Sequence, residues 1–169
     1  MKHFAALFAA LWLGFSGAAY AQSQPVVVEL FTSQGCSSCP PADALMHKLA
    51  ARGDVIALSM HVDYWDYIGW TDEFGRPENS ARQKAYAHAA GRRSVYTPQM
   101  IVNGVDSVVG THPMDVADLI AKHAGQKKSV TLKLAHSGEA LTIAASTQRP
   151  AKYEITIATF APKRTTAIK

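Results

Sequence analysis

The sequence predicts an α/β fold: a central mixed sheet flanked by helices, with a C-terminal antiparallel β extension. Three observations carry this. The apolar run Val26 to Phe31 leads into Cys36 and Cys39, the only two cysteines, and a helical pattern follows them. A second apolar run, Val55 to Val62, comes next. Strand, helix and strand in this order make a parallel βαβ unit. Thr97-Pro98 then opens another apolar strand, which turns at Asn103-Gly104 as hairpins do.

In chain order, the first element reads as a secretory signal peptide. Lys2 and His3 precede an apolar stretch from Phe4 to Phe15, and Ala19-Tyr20-Ala21 fits an A-x-A cleavage site. Residues 1–21 are therefore expected to be removed. The apolar stretch is too short for a membrane span of about 18 residues, and no second span follows. Export places the cysteine pair in an oxidising compartment, with a Gram-negative periplasm as the expected setting. The formal net charge is +4, with the basic residues scattered. Nucleic-acid binding would need them clustered on one face, so none is expected.

Val26 to Phe31 is apolar on both faces, as in a buried strand. Glu29 is the exception. It is either a carboxylate turned to water at a strand end, or a buried acid near Cys39 that moves protons when the disulfide opens. Ala42, Leu45, Met46, Leu49 and Ala50 recur at helical spacing and predict a helix from about Pro41 to Arg52, with Gly53 as its C′ residue.

The second strand ends at His61-Val62-Asp63-Tyr64-Trp65-Asp66-Tyr67-Ile68-Gly69-Trp70. Parallel strands bring their carboxyl ends to one sheet edge, so this stretch should border the cysteines. It reads either as a packing lid or as a wall of a substrate groove containing Tyr64 and Trp65. In the second reading His61, Asp63 or Asp66 would be proton or metal partners.

Ser80-Ala81-Arg82-Gln83 fits a capping box and predicts a helix from Ser80 to about Ala90, stopped by Gly91. A hairpin follows, and Thr111-His112-Pro113 opens a last helix that ends at Gly125. His47, His88, His112 and His123 have no ligand spacing and read as surface or packing residues. Beyond Gly125 three runs alternate: Val130, Leu132, Leu134; Leu141, Ile143; and Tyr153, Ile155, Ile157. They predict a small antiparallel β element.

Two thiols spaced C-x-x-C between a strand and a helix form a thiol–disulfide motif. The helix N-terminus, with its unpaired N–H groups and positive dipole end, stabilises a thiolate there. Cys36 would attack and Cys39 would resolve.

The order strand, C-x-x-C, helix, strand, helix, Thr-Pro, hairpin, helix resembles the thioredoxin fold from Val26 to Gly125. Thr97-Pro98-Gln99 with Val102-Asn103-Gly104 resembles the glutaredoxin strand that begins with a cis-proline. The resemblance implies that Pro98 packs against the cysteines and that the Thr97 backbone pairs with substrate. A closer likeness runs through Leu30 to Asp43, His61 to Tyr67, Gly69-Trp70, Arg82-Gln83, Tyr86 and Tyr96 to Gln99. On these motifs the chain is similar to a secreted bacterial thioredoxin-like family, DUF1223. That resemblance implies fold and export, and activity only by superfamily analogy. It divides the chain into residues 22–125, the thioredoxin-like domain, and 126–169, a β extension expected to be truncated.

Three functions follow. The leading one is thiol–disulfide exchange with exported protein thiols or disulfides and a redox partner, needing no cofactor. The second is a copper(I) site of metallochaperone type, built from Cys36, Cys39 and His61. The third is a non-catalytic binding module. A C-x-x-C disulfide closes too small a loop to stabilise much as a staple, which argues against a purely structural role. The Ser37-Ser38 dipeptide leaves the direction of electron flow open.

Overall fold

The structure is a computed structural model that describes residues 24–166. The signal-peptide expectation for residues 1–21 lies outside the described residues. Strand β1, Val26–Thr32, is mostly β-branched or aromatic and buried along its length, as suits a central strand. It pairs in parallel with β2, Val55–His61, so that Thr32 lies opposite His61. On its other side it pairs antiparallel with β3, Gln99–Val102, which pairs antiparallel with β4, Asp106–Val109. The sheet order is β2-β1-β3-β4.

Period-2 alternation divides β1 between two layers. Val26, Val28 and Leu30 join a core with Ala42, Met46 and Leu49 of helix α1, Pro40–Ala50, and with Val116 and Ile120 of helix α3, Pro113–Ala124. Phe31 faces the other way, with Val62 and Ile101, and packs near Tyr64, Trp65 and Tyr86. Tyr86 belongs to helix α2, Pro77–Ala89. Helix α1 and the end of β1 therefore share one face, and α2 covers the other.

The Asn103-Gly104 turn has φ of 49° and 71°, as a type I′ hairpin requires. Asn103 also extends the β1 ladder. Its N–H donates to the Val27 carbonyl at 2.8 Å, and its Oδ1 accepts from the Val27 N–H at 2.9 Å.

Helix boundaries correct two expectations. Helix α1 ends at Ala50 with Ala51 as its cap in right-handed conformation, so Gly53 is not a C′ residue. Helix α2 starts three residues before the capping-box pattern, at Pro77, with Arg76 extended before it. Proline suits that first position, where an N–H has no helical partner. The Ser80 hydroxyl is thereby freed, and it donates to Asp63 Oδ1 at 2.5 Å. The other end of α2 follows expectation. Gly91 has φ +68°, its N–H reaches the His88 carbonyl, and the Arg92 N–H reaches that of Ala87. This double bond pattern is a Schellman motif.

Past α3 a separate hairpin forms from β5, Val130–Ser137, and β6, Ala140–Thr147. The third alternating run takes no strand. Tyr153, Ile155 and Ile157 are exposed and pair with neither strand of the hairpin. Among the described residues, no helix is long and apolar enough to cross a membrane.

Candidate functional site: a disulfide under an aromatic lid

Strand β1 ends at Thr32, and a seven-residue loop, Ser33 to Cys39, carries the chain to α1 through Cys36 and Cys39, which are joined in a disulfide. A tight turn forces this geometry. The Cys36 N–H donates to the Ser33 carbonyl and the Cys39 N–H to that of Cys36, each at 3.1 Å. Cys39 is the N-cap of α1, and its carbonyl accepts from the Ala42 N–H at 2.9 Å and the Asp43 N–H at 3.0 Å. Pro40 and Pro41 occupy the next two positions. They contribute no N–H, so the first turn offers fewer donors than usual while its dipole remains. Cys36 is 4% exposed and Cys39 fully buried.

The lid lies against this loop. A Cβ placed on Gly35 would stand 3.0 Å from Ile68 Cδ1 and 3.1 Å from Trp65 Cβ. The Trp70 indole N–H donates to Gln34 Oε1 at 2.9 Å. Asp72 fastens the arrangement. Its Oδ2 accepts from the Gln34 N–H at 2.8 Å and lies 2.7 Å from His61 Nδ1, and its Oδ1 accepts from the Phe74 N–H at 2.9 Å. Its own N–H donates to Asp66 Oδ1 at 3.1 Å. Asp66 and His61 are thus spoken for by Asp72, and Asp63 by Ser80.

Trp65 joins the lid to the second predicted substrate segment. Its indole N–H donates to the Thr97 hydroxyl at 2.8 Å. The Thr97–Pro98 peptide bond is cis. Pro98 meets α1 through Gly110, whose added Cβ would lie 2.9 Å from Ala42 Cβ and 3.2 Å from Pro98 Cβ. The Tyr64 hydroxyl donates to Gln83 Oε1 at 3.1 Å. The fully buried Gln83 amide donates in turn to the Tyr96 carbonyl and to Gln99 Oε1. Cys36, Cys39, Tyr64, Trp65, Thr97 and Pro98 are therefore brought to one end of the sheet. Tyr67 stacks on Trp65 and is 81% exposed, extending the ring surface outward.

Glu29 is buried at 2% exposure, which excludes the water-facing reading. It lies on the α2 face, opposite α1. Arg82 Nε donates to Oε1 at 2.6 Å and Nη2 to Oε2 at 3.2 Å, while the Tyr86 hydroxyl donates to Oε2 at 2.5 Å. Burial, with this carboxylate alongside, pushes the Tyr86 phenol up. The Arg82 guanidinium is also raised, chiefly by its bond to Glu29.

The acid on the cysteine side is Asp43. The Thr32 hydroxyl donates to its Oδ1 at 2.8 Å. Burial raises its carboxyl above the ordinary aspartate range, against the opposing pull of Thr32, His61 and His47. Sequence reasoning gave Asp43 no role, although it stands four residues after Cys39. Asp72, Gln83 and Arg82 were missed for another reason: their partners are distant in sequence. Among the described residues, no three His, Cys, Asp or Glu groups are placed to hold a metal ion.

Element order, sheet order and the disulfide at the start of α1 define the class: this is a thioredoxin-like α/β protein. More particularly, the family model described as "Protein of unknown function (DUF1223)" matches residues 27–169, and the chain belongs to that family. A crystal structure of an Agrobacterium tumefaciens protein is 48% identical, with a TM-score of 0.66, over 73% of this chain and 57% of that one. The chain thus spans little more than half the length of that relative. A thioredoxin of Malassezia sympodialis is 21% identical, with a TM-score of 0.39, over 61% of this chain and 80% of its own. No curated protein matches.

Proposed function

We propose that this is an exported thiol–disulfide exchange protein whose redox pair is Cys36 and Cys39. The observation that carries the reading is the disulfide at the first turn of α1, with Cys39 as the N-cap. A loop this small adds little chain-entropy stabilisation, so its two thiols are better explained by chemistry.

In the reducing direction, the Cys36 thiolate attacks one sulfur of a client disulfide. The client S–S bond breaks, and its electron pair leaves on the other client sulfur, which takes a proton from solvent. Cys39, as thiolate, then attacks Cys36 Sγ. The mixed disulfide breaks, the client leaves with both sulfurs reduced, and the Cys36–Cys39 bond is restored. The reverse sequence hands the disulfide to a client. Trp65 holds the Thr97 hydroxyl, the Thr97 backbone pairs with an extended client chain, and Tyr64 and Trp65 wall that groove.

Trapping tests the reading. A Cys39→Ala variant keeps the attacking thiol and should accumulate mixed disulfides with exported proteins, detectable by mass spectrometry. A variant lacking both cysteines should trap none. Absence of any trapped species from Cys39→Ala would sink the proposal.

A further inference from the structure

Resolution of a mixed disulfide needs Cys39 as a thiolate, yet Cys39 is fully buried. Its proton must leave to a neighbouring base. Glu29 lies on the opposite face of β1 and already binds Arg82 and Tyr86. The cysteine side holds a different acid. Cys39 has helical angles, φ −80° and ψ −32°, and the Asp43 N–H bonds to its carbonyl, so the two form an i,i+4 pair. Such residues are neighbours on one helix face, with Cβ atoms about 5–6 Å apart.

We infer that Asp43 exchanges a proton with the Cys39 thiol during disulfide opening and closing. This rests on the thiol-exchange reading. In closing, the Asp43 carboxylate takes the Cys39 proton. The resulting thiolate attacks Cys36 Sγ, and the partner sulfur leaves with the bonding electrons. In opening, the proton returns from the Asp43 carboxyl to Cys39 as its sulfur departs as thiolate.

The surroundings suit a proton held and released. The Thr32 hydroxyl fixes Asp43 Oδ1 at the end of β1. His61 sits opposite Thr32 on β2, paired through Nδ1 with the buried Asp72. Asp43 is therefore faced by Thr32 from β1, by His61 from β2, by His47 from its own helix and by Asp72 from the lid. Burial favours its protonated form, while the histidines and Thr32 favour the carboxylate. Burial prevails and raises the carboxyl above its ordinary value, the direction that favours holding a proton.

The test uses the full chain loaded at Cys36 with glutathione, and follows closure of the Cys36–Cys39 bond by acid quench and mass spectrometry. Asp43→Asn should slow closure at neutral pH by about tenfold or more, and remove the lower inflection of the pH profile. Asp43→Glu should restore part of the rate and that inflection. Alkylation of reduced Cys36 by iodoacetamide should stay within about twofold of the native rate, because that step needs no proton from Cys39. Closure in Asp43→Asn at the native rate and with the native pH profile would overturn the inference. So would equal slowing of alkylation and closure, which marks a disturbed fold. Native protein that never closes would instead overturn the parent reading.

Discussion

Trp65 donates its indole N–H to the hydroxyl of Thr97 across 2.8 Å, joining two segments 32 residues apart in the chain. The lid and the strand that begins at Pro98 are thereby one unit, with Gly35 of the cysteine loop packed under Trp65. Thr97→Val keeps the side-chain shape and removes the acceptor. It should cost about 1 kcal/mol in urea unfolding and increase acrylamide quenching of tryptophan. Unchanged stability and quenching would show that the bond does not hold the lid.

Arg82 and Glu29 make the second prediction. The Glu29 side chain is almost fully buried, whereas that of Arg82 is 48% exposed. Removing one partner of a buried pair costs about 3–5 kcal/mol, and solvent on the arginine side reduces this. Arg82→Met should therefore destabilise by about 2 kcal/mol in urea unfolding. A change under a few tenths would mean that Tyr86 alone suffices to hold the carboxylate.

Gly110 is where β4 gives way to α3, and no side chain fits there. Overpacking of this kind costs about 1–3 kcal/mol. Gly110→Ala should lower stability by that much. Because the clash is with Ala42 Cβ, a double-mutant cycle with Ala42→Gly should show the two changes to be non-additive. Strict additivity would place the strain elsewhere.

Asp43 gives a pH dependence of definite sign. Its folded-state carboxyl titrates above the ordinary value of 3.8, so the native state binds more protons than the unfolded state in the window above that value. Stability from this group is full below 3.8 and is lost as pH rises through the folded-state value. Relative to the native protein, Asp43→Asn should gain stability as pH rises from about 4 towards neutrality, measured by urea unfolding at each pH. A falling difference over that range would reverse the assignment. Asp106, lowered by Lys122 and His123, has the opposite dependence and loses its contribution on acidification.

Local patterns were legible in the sequence. Cys36 and Cys39, Thr97-Pro98 and Asn103-Gly104 are each read within a few residues, and topology then places the first two groups at one sheet edge. Ser80 misled because its capping pattern is real, but a proline at the first helical position and the distant Asp63 decided its use. Asp72 was silent because nothing around it signals its partners Gln34 and His61. Gln83 reads as an ordinary helix residue until Tyr64, Tyr96 and Gln99 converge on it. Glu29 stood out as an acid in an apolar strand, yet only the strand register shows which face it takes. Tyr153, Ile155 and Ile157 alternate like a strand, and alternation alone does not supply a neighbour.

In the proposed function the Cys36–Cys39 bond opens and closes in use. The reduction potential of the pair, measured by equilibration of the full chain in glutathione buffers, tests it most directly. Exchange proteins fall between about −270 and −120 mV, and the Cys36–Cys39 pair is expected in that range. A potential well below about −300 mV would mark the bond as a permanent structural link and rule out exchange through it.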